Sequence, residues 1–288
     1  MTLAALTDPE PLRALGLGLA IPTLCLSAGL LAFVAFVHRG PRAEVFALAP
    51  LALWAAVVAV AGAAIEVAGI ARLFGTSWTD ALVDGRAPAA LLRLAGATLI
   101  VLGLFEAPVT RPVGELDEER WSAAGAGVFA AVGALVGLVS FQFDGHTVSR
   151  GPRAVHAAID FVHVTAGSVW AGGVVGLVVV FHRRRTSVTG LAHAFGRLAT
   201  VTLVVVAAAG VVMSLFIVDA PGDYVDTPWG RRLLIKLAAV AVAAAIGTYH
   251  HFRAVPTGAD LRRSLTVEAA ALLAVLVVSA FLVRASPV

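Results

Sequence analysis

Long apolar runs recur along this chain, and no other feature restricts its fold as strongly. The runs are continuous and rich in Ala, Leu, Val and Gly, whereas the strands of a membrane β-barrel alternate apolar and polar residues. Of the 288 residues, 59% are hydrophobic and 14% are charged, against about a quarter charged in soluble domains. A helix needs about 20 apolar residues to span a bilayer. We therefore predict an all-α, polytopic transmembrane helix bundle of about eight helices, surrounded by the lipid bilayer.

The predicted spans form a single membrane domain over residues 1–288. They lie near residues 12–37, 45–71, 88–109, 121–141, 154–181, 194–218, 231–252 and 265–284. Asp8 and Glu10, rather than basic residues, precede the first span, which is also too long for the apolar core of a signal peptide, so we expect a retained helix. The first four spans (12–141) are expected to act mainly as a scaffold. The second half, 142–288, holds most of the histidines.

Arginines in the short loops indicate the orientation of the bundle. Three basic loops fall on one side of the predicted spans; they contain Arg39 with Arg42, Arg183–Arg185, and Arg253 with Arg262 and Arg263. Because basic loops stay in the cytoplasm, we predict that this is a multi-pass protein with both termini outside. The net charge of +3 comes from such loops and not from a basic domain, so no nucleic-acid partner is expected.

The fifth span carries three ionisable residues on one face, in its outer turns. His156, Asp160 and His163 are four and three residues apart, which places them on one narrow stripe of a helix. Ionisable side chains are costly within a membrane and indicate function by default. Imidazole and carboxylate groups suit a transition metal, and Asp160 can equally orient a histidine ring. The alternative is a polar face that hydrogen-bonds neighbouring helices without a metal.

Three residues outside this face are further candidate metal ligands. His146 follows a glycine in the outer loop before the fifth span, and the glycine permits a turn that folds it back over the bundle. Met213 near the outer end of the sixth span offers a thioether that suits Cu(I), or simply packs. Glu66, in the outer third of the second span, is a candidate ligand or proton acceptor. The alternative for Glu66 is an ion pair with Arg72 or Arg93.

Other polar residues in or near the spans are expected to be structural. Lys236, the only lysine of the chain, is expected to snorkel outward or pair with a carboxylate, and Cys25 to be a small core residue. Glu268 is expected to pair with Arg262 or Arg263. The histidines of the inner side are expected to be solvated, with a metal exit site as the alternative: His182, His193, His250 and His251.

The second half of the chain resembles the copper resistance protein D (CopD) family. That family shows Gly-His, Asp-x-x-His and Trp-x-Gly-Gly in this order, which correspond here to Gly145-His146, Asp160-Phe161-Val162-His163 and Trp170-Ala171-Gly172-Gly173. Downstream, TPWGRRLLIKLAAV resembles its Tyr/Trp-Gly-x-x-Leu-x-x-Lys stretch, and RRSLTVEAAALLAVL resembles its Arg-x-x-x-x-x-Glu stretch, which ends at Glu268. The resemblance runs from about residue 140 to the C-terminus. The first four spans fit the family's overall plan without a distinct motif.

This resemblance implies a non-enzymatic protein that moves copper inward across the cytoplasmic membrane, in copper homeostasis or resistance. It implies a metal site with His146, Asp160 and His163, and a small periplasmic or extracellular copper-binding protein as a partner. The chain has only two Met residues, and a His/carboxylate site accepts Cu(II) as readily as Cu(I). Cu(I) and Cu(II) are therefore both kept as candidates. The sequence makes no prediction of the oligomeric state.

Two hypotheses of other classes compete with copper transport. A b-type membrane cytochrome would hold haem between histidines on facing helices. It needs two histidines at matching depth on different helices, and only the fifth span has an unambiguous intramembrane histidine. A structural subunit would use the polar face only to hold helices together.

Overall fold

The structure is a computed structural model that describes residues 9–38, 42–106, 127–144, 152–183, 189–254 and 260–283. Within these ranges the chain forms helices and turns and no strands, which confirms the predicted all-α class. The helices are α1 (Pro9–Ala32), α2 (Arg42–Phe74), α3 (Trp78–Val83), α4 (Pro88–Glu106), α5 (Val128–Val139), α6 (Arg153–Arg183), α7 (Thr189–Ile217), α8 (Asp223–Asp226), α9 (Pro228–Tyr249) and α10 (Arg262–Leu282). Three short turns extend them: a π-helical turn (Phe33–Val37) follows α1, a 3₁₀ turn (Ser140–Phe143) follows α5, and a second π-helical turn (His250–Ala254) follows α9.

Seven helices of the described chain are long and apolar enough to cross a membrane. They are α1, α2, α4, α6, α7, α9 and α10, in the order of the predicted spans. The predicted fourth span, 121–141, begins outside the described residues. Its described part is α5 with the 3₁₀ turn, which ends at Phe143 and is shorter than the others. The bundle is therefore polytopic, as predicted.

Helix α1 lies at the centre of the bundle. It packs against α2, α6, α10 and α5, and 67% of its most apolar window is buried, against 17% in α7 and 6% in α9. Many apolar side chains of α7 and α9 are instead exposed on the outside of the bundle, as Leu215 and Val242 are. Outward apolar faces fit a bilayer, where lipid rather than water is the surrounding solvent.

Two glycines bring α1 and α6 into backbone contact. A Cβ atom added to Gly172 would overlap the backbone of Gly29, and one added to Gly29 would overlap the carbonyl of Ser168. Small residues of this kind allow membrane helices to approach closely. The contact fixes the depth of α6 against α1 and places Cys25 of α1, which is 3% exposed, within hydrogen-bonding reach of Ser168. The prediction that Cys25 is a small core residue is therefore confirmed.

Candidate metal site in the outer half of the bundle

His163 lies in the outer half of the bundle, by which we mean the half that contains the first turns of α1, α4, α6 and α9. Its Nδ1 lies 3.0 Å from the carbonyl oxygen of Val206 in α7. A carbonyl oxygen can only accept, so Nδ1 carries the hydrogen and donates it. In the neutral ring Nε2 is then the unprotonated nitrogen, with its lone pair directed away from α7. A hydrogen bond at the far nitrogen is the usual way in which proteins orient a metal-binding histidine.

The Nε2 atom of His163 faces the ammonium group of Lys236 in α9. Lys236 Nζ donates a long hydrogen bond to it at 3.4 Å. The same ammonium group interacts electrostatically with the carboxylate of Asp160, one helical turn from His163. Asp160 is 7% exposed, so the attraction acts in a poorly hydrated place. The structure therefore brings together an imidazole, a carboxylate and an ammonium group from two helices.

The other two predicted ligands on α6 and α7 lie close to this group along the same helices. His156 is fully buried, and its ring centre lies 5.8 Å from that of Phe216 in α7. Three residues before Met213, a Cβ added to Gly210 would lie 3.2 Å from Cε1 of His163. Because α6 and α7 run antiparallel, these two contacts place Met213 at about the level of Asp160, between the two histidines.

Glu66 pairs with Arg93, one of the two arginines predicted as its alternative partners. Arg93 donates from Nη2 to Oε1 at 2.6 Å and from Nε to Oε2 at 3.1 Å, the bidentate arrangement that suits a guanidinium group. Arg93 also donates from Nη1 to Asp144. The exposed fraction of the side chain is 0% for Arg93, 1% for Glu66 and 11% for Asp144. Arg13 of α1 adds a second positive charge near Glu66.

The Glu66–Arg93–Asp144 network is relevant to the site because Asp144 lies two residues before His146 in the chain. Asp144 ends the described segment directly before the loop that carries His146. His146 itself lies outside the described residues. By fixing Asp144 to α4 and α2, Arg93 anchors the start of that loop to the outer end of the bundle. The sequence offered Arg93 only as an alternative partner, and gave no signal for Asp144.

The predicted ligands that lie in the described ranges do not form a complete metal centre. Within the part of the chain that the structure describes, no three His, Cys, Asp or Glu side chains lie together as a set that could hold a metal ion. His163 and Asp160 share one face of α6, and the ammonium group of Lys236 from α9 lies beside them. Glu66 is engaged by Arg93 on α4, and His146 is outside the described ranges. The ligand set consequently remains a prediction.

A second buried polar group lies in the inner half. His250 Nδ1 lies 3.0 Å from Glu268 Oε2, and its Nε2 lies 2.7 Å from the hydroxyl of Ser264. His250 is 7% exposed and Glu268 is 3% exposed. Glu268, expected to pair with Arg262 or Arg263, thus contacts a histidine. The expectation of a solvated histidine is wrong for His250, because the π-helical turn at the end of α9 directs its ring toward α10.

The other described histidines of the inner side are exposed, line a cavity or lie beside a glutamate. His182 is exposed, and its Nδ1 donates to the carbonyl of Val178 one turn earlier in the same helix. His193 lines a cavity of about 200 Å³ together with His250 and Glu268. The side chain of His251 lies outside the described residues. His38, at the start of the first inner loop, is buried beside Glu44 with Nε2 2.6 Å from Oε2.

The contact between Lys236 and His163 is the main feature that sequence reasoning missed. Lys236 was expected to have a structural role, snorkelling outward or pairing with a carboxylate. A signal was present, since it is the only lysine of the chain and lies in the third turn of an apolar span. Its depth matches that of Asp160 and His163, which also lie in the second and third turns of their helix. Sequence spacing could not show which helix it faces.

The fold and this site define a polytopic membrane protein with a partly buried His–Asp–Lys group between helices. Residues 189–282, from α7 to α10, match the family model described as Copper resistance protein D. The chain is also 22% identical over 183 residues to "Copper transport protein CutJ" of Bacillus subtilis (strain 168), covering 61% of this chain and 34% of that protein. Together these findings support the assignment of the chain to the CopD family, as the resemblance of its motifs indicated.

The matched regions cover part of each protein. This chain corresponds to about a third of the length of the relative that it matches. The matched family segment begins after Asp160 and His163, so these two residues lie outside it. No solved structure matches the chain.

Proposed function

We propose that this protein moves copper ions inward across the cytoplasmic membrane, and that the ion enters through a His/carboxylate site at the outer end of α6. A role in copper-related transport or resistance is supported by the CopD family model and by the relative named as a copper transport protein. The observation that carries the site is the fixed tautomer of His163. Its Nδ1 donates to Val206, so Nε2 presents a lone pair inside the bundle.

The residues around His163 supply the remaining chemistry of a transition-metal site. Asp160 lies one turn away with an anionic carboxylate that compensates the charge of a bound cation. Met213, at the same level on α7, adds a thioether for Cu(I), and His156 adds a second imidazole. His146 would close the site from the loop that Arg93 anchors through Asp144.

Glu66 has a less direct place in this proposal. To bind copper it would have to leave its two hydrogen bonds with Arg93. Its structural role in anchoring the outer loop is supported by these bonds. We propose that Glu66 contributes a ligand only in a rearranged site, and that both oxidation states of copper are compatible with the combined donors.

An inward route continues along the same face of α6. Trp170 lies seven residues after His163, two helical turns inward, and lines the cavity of about 200 Å³. His193, His250 and Glu268 line that cavity at its inner end. We propose that the buried indole separates the outer site from this cavity, through which the ion leaves. A small periplasmic or extracellular copper-binding protein is the proposed donor.

Copper uptake by cells or proteoliposomes tests this function. We expect His163→Ala to reduce the initial rate of uptake at least tenfold, because the ligand with the fixed lone pair is lost. The matched control is His182→Ala, which removes an exposed histidine from the other end of the same helix and should leave uptake unchanged. Size-exclusion chromatography of each variant in detergent checks that it is folded. Unchanged uptake by a folded His163→Ala variant would contradict the proposed site.

The haem hypothesis finds less support at His163. Its two ring nitrogens face Val206 and Lys236, not a histidine of a neighbouring helix. A visible spectrum of the purified protein separates the two functions. We expect no haem Soret band, and a Soret band that disappears in His163→Ala would favour the cytochrome.

A further inference from the structure

The ammonium group of Lys236 occupies the place that a metal ion would take at His163. Nζ lies 3.4 Å from Nε2, on the side of the ring that carries the lone pair. Transition metals bind imidazole nitrogen at about 2.0 Å. A metal ion placed on the line between the two atoms would lie only about 1.4 Å from Nζ, far inside the contact distance of the two. His163 therefore cannot bind a metal through Nε2 while Lys236 stays where it is.

Charge adds to this steric conflict. The ammonium group of Lys236 is attracted electrostatically by the carboxylate of Asp160. A metal cation bound by Asp160 and His163 would repel the ammonium group strongly, because both charges would share a half-buried space of low dielectric. The side chain has a flexible four-carbon stem that can carry Nζ several ångströms away without movement of α9.

We propose that Lys236 is a built-in competing cation, which must be displaced from His163 and Asp160 for a metal ion to bind. The proposal rests on the proposed function, since it assumes that these two residues are metal ligands. It makes Lys236 a residue that determines specificity. A transition metal gains strong bonds to imidazole nitrogen and can displace the ammonium group, whereas hard cations that prefer oxygen ligands, such as Mg²⁺ and Ca²⁺, gain too little.

Binding of Cu²⁺ to the purified 288-residue protein in detergent tests the proposal. We would titrate Cu²⁺ against a competing chelator and record electron paramagnetic resonance spectra, in which nitrogen hyperfine structure reports histidine ligation. Lys236→Met keeps the length of the side chain and removes its charge. We expect it to bind Cu²⁺ at least tenfold more tightly than the wild type, with the nitrogen signal retained. Lys236→Arg, which keeps the charge, should bind no more tightly than the wild type.

Two further variants assign the effect to this position. Arg232→Met removes a positive charge one turn earlier in α9, where the side chain donates to the carbonyl of Phe281, and should change the affinity less than twofold. The double variant Lys236→Met/His163→Ala should lose both the gain in affinity and the nitrogen signal. Lys236→Gln, neutral but still a hydrogen-bond donor, replaces Lys236→Met if that variant does not fold.

The possible outcomes distinguish this proposal from the proposed function. If the wild type binds Cu²⁺ through His163 and neither neutral variant binds more tightly, the competing role of Lys236 is refuted while the site stands. If neither the wild type nor the neutral variants show binding that depends on His163, both the site and the competing role are refuted. A gain in affinity for Mg²⁺ that equals the gain for Cu²⁺ would refute the role in specificity.

Discussion

Removal of the Arg93 side chain should destabilise the protein strongly. Arg93→Met keeps most of the volume but leaves Glu66, which is 1% exposed, and Asp144 without their shared guanidinium partner. Breaking a buried ion pair from one side costs about 3–5 kcal/mol. The part of this loss that comes from Glu66 has an upper limit, because an ordinary glutamate can be neutralised at pH 7 for about 4 kcal/mol. We therefore expect a loss of about 3 kcal/mol, or roughly a 150-fold change in the ratio of folded to unfolded protein.

Equilibrium unfolding in mixed micelles, followed by circular dichroism and tryptophan fluorescence, measures this loss. The matched control is Arg72→Met in α2, which removes an exposed arginine that the sequence offered as the other partner of Glu66. It should change the free energy of unfolding by no more than about 0.5 kcal/mol. Adding Glu66→Gln to Arg93→Met removes the unpaired charge and should recover at least half of the loss.

Two results would refute this account of the network. A loss below about 1 kcal/mol for Arg93→Met would mean that the buried bonds seen in the structure contribute little to stability. A double variant no more stable than Arg93→Met would mean that the lost energy comes from packing and not from the charge of Glu66.

Two further predictions concern helix packing and the inner polar group, and both use the same unfolding measurement. Gly29→Ala should cost about 2 kcal/mol, because the new methyl group overlaps the carbonyl of Ser168; Gly190→Ala, where a Cβ meets nothing within 4 Å, should be neutral or slightly stabilising. Equal effects of the two would contradict close packing of α1 on α6. Glu268→Leu should cost about 2 kcal/mol because it leaves the buried His250 Nδ1 without its acceptor, and an unchanged stability would show that this contact is not formed.

The helices themselves could be predicted closely from the sequence. The fifth span was expected at 154–181 and is found as α6, Arg153–Arg183; the seventh was expected at 231–252 and is found as α9, Pro228–Tyr249. The reason is that a spanning helix satisfies its own backbone hydrogen bonds, so its existence depends on local apolar composition and not on its neighbours. The face with His156, Asp160 and His163 followed from helix periodicity for the same reason.

The partners of the buried polar residues could not be predicted in this way. The sequence allowed Glu66 to meet Arg72 or Arg93, and the packing of α4 on α2 selects Arg93. From the sequence, Lys236 could pair with any carboxylate or extend to the membrane surface. The position of α9 places its ammonium group at His163.

Local sequence therefore determined that this chain forms a membrane-spanning helical bundle with a polar face on α6. The choice among possible partners belongs to the tertiary structure, because it depends on which helices meet, at what depth and in what rotation. Those variables are set by contacts between residues far apart in the chain, such as that of Gly29 with Ser168. In this protein they decide that the cation facing His163 is the ammonium group of Lys236.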